Sequence, residues 1–242
     1  MTPPPVPTDP KARPEAPQPA CRNRILAALP PEELALVRPH LFRVSLVASQ
    51  VLFEKGVPVD AVYFVEQGLL ALLAEVGGGE RIQIGMVGFE GVRGSAVMLQ
   101  PDLVTAYQTV VEVAGWAWRL QAADFLRVIP QAPVLRAQCL DAINAFFRQI
   151  AQTSACNGKH DLPSRLCRLL LMAHDRSADD DVLLTQSQIA RMIGVRRAGV
   201  STVMATLQDE GLLRQSRGRI TLLDPQGLQA LACACYAEMA LI

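Results

Sequence analysis

A chain of 242 residues, 50% hydrophobic and 19% charged, can bury a real core and fits one or two soluble globular domains. Its formal net charge is zero, which excludes a globally basic nucleic-acid binder. No apolar run reaches the roughly 18 residues of a membrane span. The first residues lack the basic start and apolar stretch of a signal peptide. The six cysteines (21, 139, 156, 167, 233 and 235) are scattered, with no C-x-x-C pair. A cytoplasmic protein with reduced thiols is therefore expected, with no membrane partner.

Charge is unevenly spread. Leu41 to Phe125 holds 5 Arg/Lys against 9 Asp/Glu, a net of −4, whereas Gln186 to Ile220 holds 6 against 2, a net of +4. A locally basic segment on a neutral chain is compatible with a nucleic-acid-facing module.

In chain order, residues 1–19 carry 8 prolines and little that is apolar, so residues 1–20 read as a disordered tail. Short helices are expected at Arg24–Leu29 and at Pro31–Val37, where Pro31 and Glu32 suit a first turn. From Phe42 to Leu120 short apolar runs alternate with Gly, Pro and Asp, the texture of a compact β-sandwich or barrel. Gly77-Gly78-Gly79 reads as a hairpin turn. A phosphate loop would need a following Gly-Lys-Ser/Thr and an opening helix.

Between Ala132 and Thr153 the period turns helical. Cys139, Ile143, Phe146, Ile150 and Thr153 recur at spacings of 4, 3, 4 and 3, a heptad seam. Such a helix either packs on its own sandwich or pairs with a second copy to make a dimer. A further helix is expected at Asp161–His174, with Asp161 capping it and Pro163 in its first turn. SADDDV then reads as a polar loop.

The segment LTQSQIARMIGVRRAGVSTVMATLQDEGLL has a sharper local logic. Thr185 and Gln188 form a capping box that starts a helix over about Gln186–Ile193, with Ile189, Met192 and Ile193 inward. Gly194 can take a positive φ in the turn. A second helix follows over about Arg197–Glu210, with Val200, Val203, Met204 and Leu207 inward. Arg196, Arg197, Ala198, Ser201 and Thr202 stay near its outer N-terminal end. That is a helix-turn-helix, whose second helix offers these residues, with Gln186, to base edges in the major groove. Arg217-Gly218-Arg219 then makes a hairpin tip with two cations, suited to a wing touching phosphate. An ordinary helical hairpin with surface arginines is the plainer alternative.

These motifs, with VLFEKGVPVDAVYFVEQG and GMVGFEG, resemble the cyclic-AMP receptor and fumarate–nitrate regulator (Crp/Fnr) family over about residues 24–235. The resemblance implies an α+β chain: an N-terminal β-roll sensor like a cyclic-nucleotide-binding domain (21–130), a long dimerisation helix (131–158) and a C-terminal winged helix-turn-helix (159–242). It also implies a homodimer on a palindromic site in double-stranded DNA, contacting RNA polymerase. Arg197 matches the family's guanine-reading arginine, and Arg pairs bidentately with guanine O6 and N7. Ala198 stands where the family often has a Glu that takes a cytosine donor, so the half-site should differ.

The sensor departs from the nucleotide-binding pattern. Val92 stands where the ribose-binding Glu belongs, and Val104-Thr105 where the phosphate-binding Arg-Ser belongs. A buried phosphate without its guanidinium loses a charge-assisted bond worth ~1.5–3 kcal/mol. Cyclic nucleotide is therefore not the expected effector, and the true effector is unassigned. Arg93 reads as a surface arginine, with a role toward another anion as the alternative. Only Cys21 lies where oxygen-sensing members gather cluster ligands, so an iron–sulfur cluster is not expected. Cys139 and Cys156 read as small core residues, with a cross-dimer disulfide through Cys139 the less favoured idea. Cys233-x-Cys235 lacks a zinc-like second pair. His40, His160 and His174 lie outside the sensor's strands, so haem is not invoked. No metal and no cofactor are expected.

The competing reading from another class is a small-molecule-sensing signalling protein whose winged helix docks a protein. An enzyme would have to use His160-Asp161 or His174-Asp175. No nucleophile is arranged around either pair, and capping or solvent roles suit them better. No catalytic residue is assigned.

Overall fold

The computed structural model describes residues 21–177 and 181–239. The proline-rich stretch lies outside the described residues, as does the middle of SADDDV. Two short helices, α1 (Arg24–Ala27) and α2 (Pro31–Val37), lead into six strands: β1 (Phe42–Leu46), β2 (Val51–Phe53), β3 (Ala61–Gly77), β4 (Glu80–Val87), β5 (Val92–Arg93) and β6 (Gln108–Gln121). They form one antiparallel sheet in the order β1-β6-β3-β4, with β2 also on β6 and β5 also on β3. The long strands β3 and β6 pair along most of their length, with register shifts between Val65 and Leu70. Such bulges bend and twist a pair of strands, which lets a sheet of few strands roll up. The expected hairpin at Gly77-Gly78-Gly79 is present, joining β3 to β4.

After α3 (Ala122–Val128) comes α4 (Pro133–Lys159), 27 residues long. Ala132 offers no side-chain cap to α4. The cap comes from α2, where the buried Glu33 carboxylate accepts from Val134 N and Leu135 N at 2.9 Å each. A carboxylate there satisfies two orphan N–H groups and meets the positive end of the helix dipole. Further along, the Gln149 amide bridges the backbone of Met86 on the outer strand β4. Its Oε1 accepts from Met86 N at 2.6 Å and its Nε2 donates to Met86 O at 3.2 Å.

The rest is α5 (Leu162–Asp175), β7 (Asp181–Val182), α6 (Gln186–Ile193), α7 (Arg197–Asp209), β8 (Leu213–Ser216), β9 (Arg219–Leu222), α8 (Pro225–Leu231) and α9 (Cys235–Met239). Asp161 caps α5 as expected, accepting from Ser164 N at 3.0 Å. Asp181–Val182, expected as loop, pairs with β9, so a small sheet β7-β9-β8 forms. The expectation failed because a two-residue strand has no periodicity of its own.

Two cores result. One fills the β-roll and takes in α1, α3 and the start of α4 through Leu135 and Cys139. The other gathers α5 to α9 and also takes Leu69 and Met86 from the β-roll. Among the described residues, no helix is long and apolar enough to cross a membrane.

Candidate nucleic-acid interface

The capping box at Thr185 forms in both directions. Thr185 Oγ1 accepts from Gln188 N at 3.2 Å, and Gln188 Oε1 accepts from Thr185 N at 2.9 Å. Gly194 ends α6 at φ 72°, ψ 46°, the left-handed region that costs glycine little. Behind this turn Ile189, Met192, Ile193, Val200, Met204 and Leu207 are buried together. α7 starts at Arg197, with Arg196 as its N-cap.

Arg196, Arg197, Ala198 and Thr202 are exposed at the outer end of α7. Neither arginine enters an ion pair among the described residues. Thr202 Oγ1 donates to Ala198 O at 3.1 Å, a bond within its own helix. Ser201 and Gln186 are occupied. Ser201 Oγ donates to Gln186 Oε1 at 2.5 Å, and Gln186 Nε2 donates to Gln215 Oε1 at 2.7 Å. Gln215 Nε2 in turn donates to Met204 O at 3.3 Å. This chain ties α6, α7 and the wing strand β8 together, so Gln186 and Ser201 hold the interface in shape rather than stand free on it. Gln215 was invisible to sequence reasoning, because a single polar residue in a strand carries no signal of its partner.

The wing turn is Arg217-Gly218, with φ of 39° and 82°. Two successive positive φ values make the tight two-residue turn favoured in hairpins. Arg217 is exposed at the tip, without an ion pair among the described residues. Arg219, expected to stand free beside it, is instead paired with Asp181. Hydrogen bonds from Thr221 and Arg219 hold the Asp181 carboxyl below the usual carboxylate range. The counterion of Arg219 comes from the two-residue strand β7.

The winged helix also rests on the β-roll. Arg191 Nη2 lies 2.7 and 2.8 Å from the two oxygens of Glu112, and Gln188 Nε2 donates to Glu112 O at 2.9 Å. The Glu112 carboxylate is buried. Nothing in the spacing of Arg191 announced this contact, since its partner lies 79 residues away.

In the sensor, Val92 is buried on β5, and Val104 is 49% exposed on a loop. Thr105 Oγ1 donates to Tyr107 O at 2.8 Å and accepts from Tyr107 N. The hydroxyl is therefore spent on its own turn. Arg93 is not the expected surface arginine. It is half-buried, donates from Nε to Thr109 Oγ1 at 3.0 Å, and lies 5.7 Å from the Phe53 ring and 5.8 Å from Phe146. Burial lowers its guanidinium to about 10. Two aromatic faces offer a cation part of what water would.

The heptad seam needs correction. Cys139 is fully buried in the chain's own β-roll core, and Phe146 packs on that core too. A disulfide across a dimer through Cys139 is thus sterically closed. The side of α4 that faces outward bears Phe147, 68% exposed, with Leu140, Ile143 and Ile150 half-buried and Thr153 bonded to Met239 Sδ. Cys21 donates to Glu66 Oε1 at 2.7 Å; burial, then Glu66, pushes its thiol up to about 12. The second pair that Cys233 and Cys235 lack in sequence is supplied in space by Cys156 and His160. Of the acid–base pairs, Asp161 caps α5 and Asp175 accepts from Tyr236 Oη at 3.0 Å.

A β-roll joined through a long helix to a winged helix-turn-helix, with exposed arginines at the start of the second helix, is an architecture shared with transcription regulators. The Crp-like helix-turn-helix domain model matches residues 164–231. Transcriptional regulator SdrP of Thermus thermophilus is 27% identical over 196 residues, 78% of this chain and 93% of that protein. Transcriptional regulatory protein btr of Bordetella pertussis is 27% identical over 199 residues, 78% of this chain and 80% of that one. Among solved structures, FixK2 from Bradyrhizobium japonicum superposes with a TM-score of 0.69 at 16% identity, covering 80% of this chain and 98% of that one. The CRP-family regulator TTHB099 from Thermus thermophilus gives 0.64 at 21%, covering 79% and 96%. At such identities the superpositions speak for the fold. The chain thus carries a Crp-like helix-turn-helix domain over residues 164–231 and is similar to transcription regulators over most of its length.

Proposed function

We propose that the chain is a homodimeric, sequence-specific DNA-binding regulator, with Arg197 reading a guanine and Arg217 touching phosphate. The observation that carries this reading is the exposed Arg196-Arg197, without an ion pair among the described residues, at the N-terminus of a helix whose opposite face is locked into the core. Arg217 at the wing tip suits a phosphate contact, and Arg219 lends part of its charge there while held by Asp181. The outward Phe147 face of α4 is where a second copy would pack, and a two-fold dimer calls for a palindromic site. RNA polymerase is the expected further partner, in the cytoplasm. A catalytic role has no supporting arrangement among the described residues.

The β-roll controls the reader without cyclic nucleotide. Val104 faces solvent and Thr105 is spent on its turn, so a cyclic phosphate would find neither guanidinium nor free hydroxyl at that position. Glu112, which holds α6 through Arg191 and Gln188, is the point at which a change in the sensor would reach the reader.

Titration of the full chain on random-sequence and genome-selected duplexes at several salt concentrations tests the proposal. Affinity should fall steeply with salt on both, since phosphate contacts release counterions, and one palindromic class should be bound far more tightly. Salt-independent binding, or none, would leave the reading without support.

A further inference from the structure

Four side chains distant in sequence meet where α4 ends. Cys156 lies in the last turn of α4, and His160 is its C-cap. Cys233 and Cys235 flank the turn between α8 and α9. One ligand atom from each of the four lies within 4.8 Å of every other. Cys156 Sγ is 3.5 Å from Cys233 Sγ, and Cys235 Sγ is 3.5 Å from His160 Nδ1. A tetrahedral zinc, with Zn–S of about 2.3 Å and Zn–N of about 2.0 Å, needs ligand–ligand edges of roughly 3.3–3.8 Å. The Cys156–Cys233 and Cys235–His160 edges, 3.5 Å each, fall in that range, and the other pairs lie within 4.8 Å. Four donors this close can share one ion, and they are too crowded to hold a multi-iron cluster.

The charge around the cluster points the same way. Arg168 is only 4% exposed. Its Nη1 reaches only sulfur, Met239 Sδ at 3.6 Å and Met172 Sδ at 3.9 Å, and its Nε has no partner. No carboxylate pairs with it among the described residues. A buried guanidinium without an anion is costly. Three thiolates and a neutral imidazole around a divalent cation carry a net charge of −1, the counterion that Arg168 lacks. Gln152 Nε2 also donates to Cys235 Sγ at 3.1 Å, the kind of outer hydrogen bond that orients a thiolate ligand.

We propose that Cys156, His160, Cys233 and Cys235 form a closed Cys3His site for zinc or a similar borderline-soft divalent cation. Binding displaces three thiol protons to solvent and forms three metal–sulfur bonds and one metal–nitrogen bond, with no change of oxidation state. The ion ties the end of α4 and the α4–α5 junction to the α8–α9 turn. It would thereby fix the winged helix against the long helix. The site does not depend on the DNA-reading proposal.

The experiment uses the full chain, purified under reducing conditions without metal-affinity resin. Elemental analysis should find one zinc per chain. After stripping, cobalt(II) should bind at one per chain, with intense visible bands of tetrahedral cobalt and thiolate-to-cobalt charge transfer in the near ultraviolet. Proton release should accompany binding. Cys235→Ser and His160→Ala should each weaken cobalt binding by about tenfold or more, and Cys139→Ser should leave it unchanged. Should a variant fail to fold, the wild-type charge-transfer intensity still counts the thiolates. Weak octahedral cobalt bands, bands that persist undiminished in folded Cys235→Ser, or reduced protein that takes up no metal and merely forms a Cys156–Cys233 disulfide on oxidation would each overturn the proposal.

Discussion

The winged helix and the β-roll use charge in opposite ways. In the winged helix, Arg196, Arg197 and Arg217 are left bare at the surface, on elements locked from behind. In the β-roll the notable charges are turned inward. Glu66 accepts from the backbone of Arg22 and Asn23, Glu33 caps α4, Glu112 holds α6, and Arg93 lies between two aromatic rings. Charges offered to a polyanion must stay solvated and unpaired until it arrives. Buried charges must be satisfied within the chain, and so they define its shape. The two regions meet in part at Glu112, which makes that residue one place where the contrast can be broken.

Arg191→Ala leaves the buried Glu112 carboxylate without its cation and should cost about 3 kcal/mol, with the thermal midpoint lowered. Hydrogen exchange should show α6 losing protection while β6 keeps it. Equal loss in both would mean that Arg191 supports the whole fold rather than this contact. Phe147→Glu puts a charge on the outward apolar side of α4 and should weaken a dimer by on the order of 100-fold. Light scattering at micromolar concentration would show monomer, with circular dichroism unchanged. Phe146→Glu should instead lower the melting temperature, since Phe146 packs on its own β-roll.

Arg197→Ala should cost about 1–3 kcal/mol on the specific duplex and relax preference at one base pair per half-site. Arg217→Ala should weaken specific and random duplexes alike and flatten the salt dependence by about one phosphate. If Arg197→Ala lowers both affinities equally, Arg197 is a phosphate clamp. The smallest effect belongs to the inward-turned groups. Burial, aided by Glu66 at Cys21, pushes the thiols of Cys21 and Cys139 up to about 12. Below the ordinary thiol value of 9.0 both folded and unfolded chains keep these protons. Above it only the unfolded chain releases them, so stability should fall as pH rises from 9.0 towards about 12. Denaturant titrations at pH 8 and pH 10 check this, and equal stabilities would contradict it.

Much of the reading helix was legible because its determinants are local. A capping box spans three residues, the turn needs one glycine, and the inner face repeats every three to four positions. Such features act within a single turn of chain, so spacing alone reveals them. The β-roll was legible as a class, from short apolar runs between turn residues. What spacing could not decide was which face of α4 turns inward. A 4-3-4-3 repeat serves a partner helix and a chain's own sheet equally well, and only packing sent Cys139 and Phe146 to the core. Tertiary structure likewise chose the partners of Arg93, Arg191 and Arg219. It also brought Cys156 and His160 to Cys233 and Cys235 across more than 70 residues. Burial and charge pairing depend on groups far apart along the chain, and no local pattern carries that information.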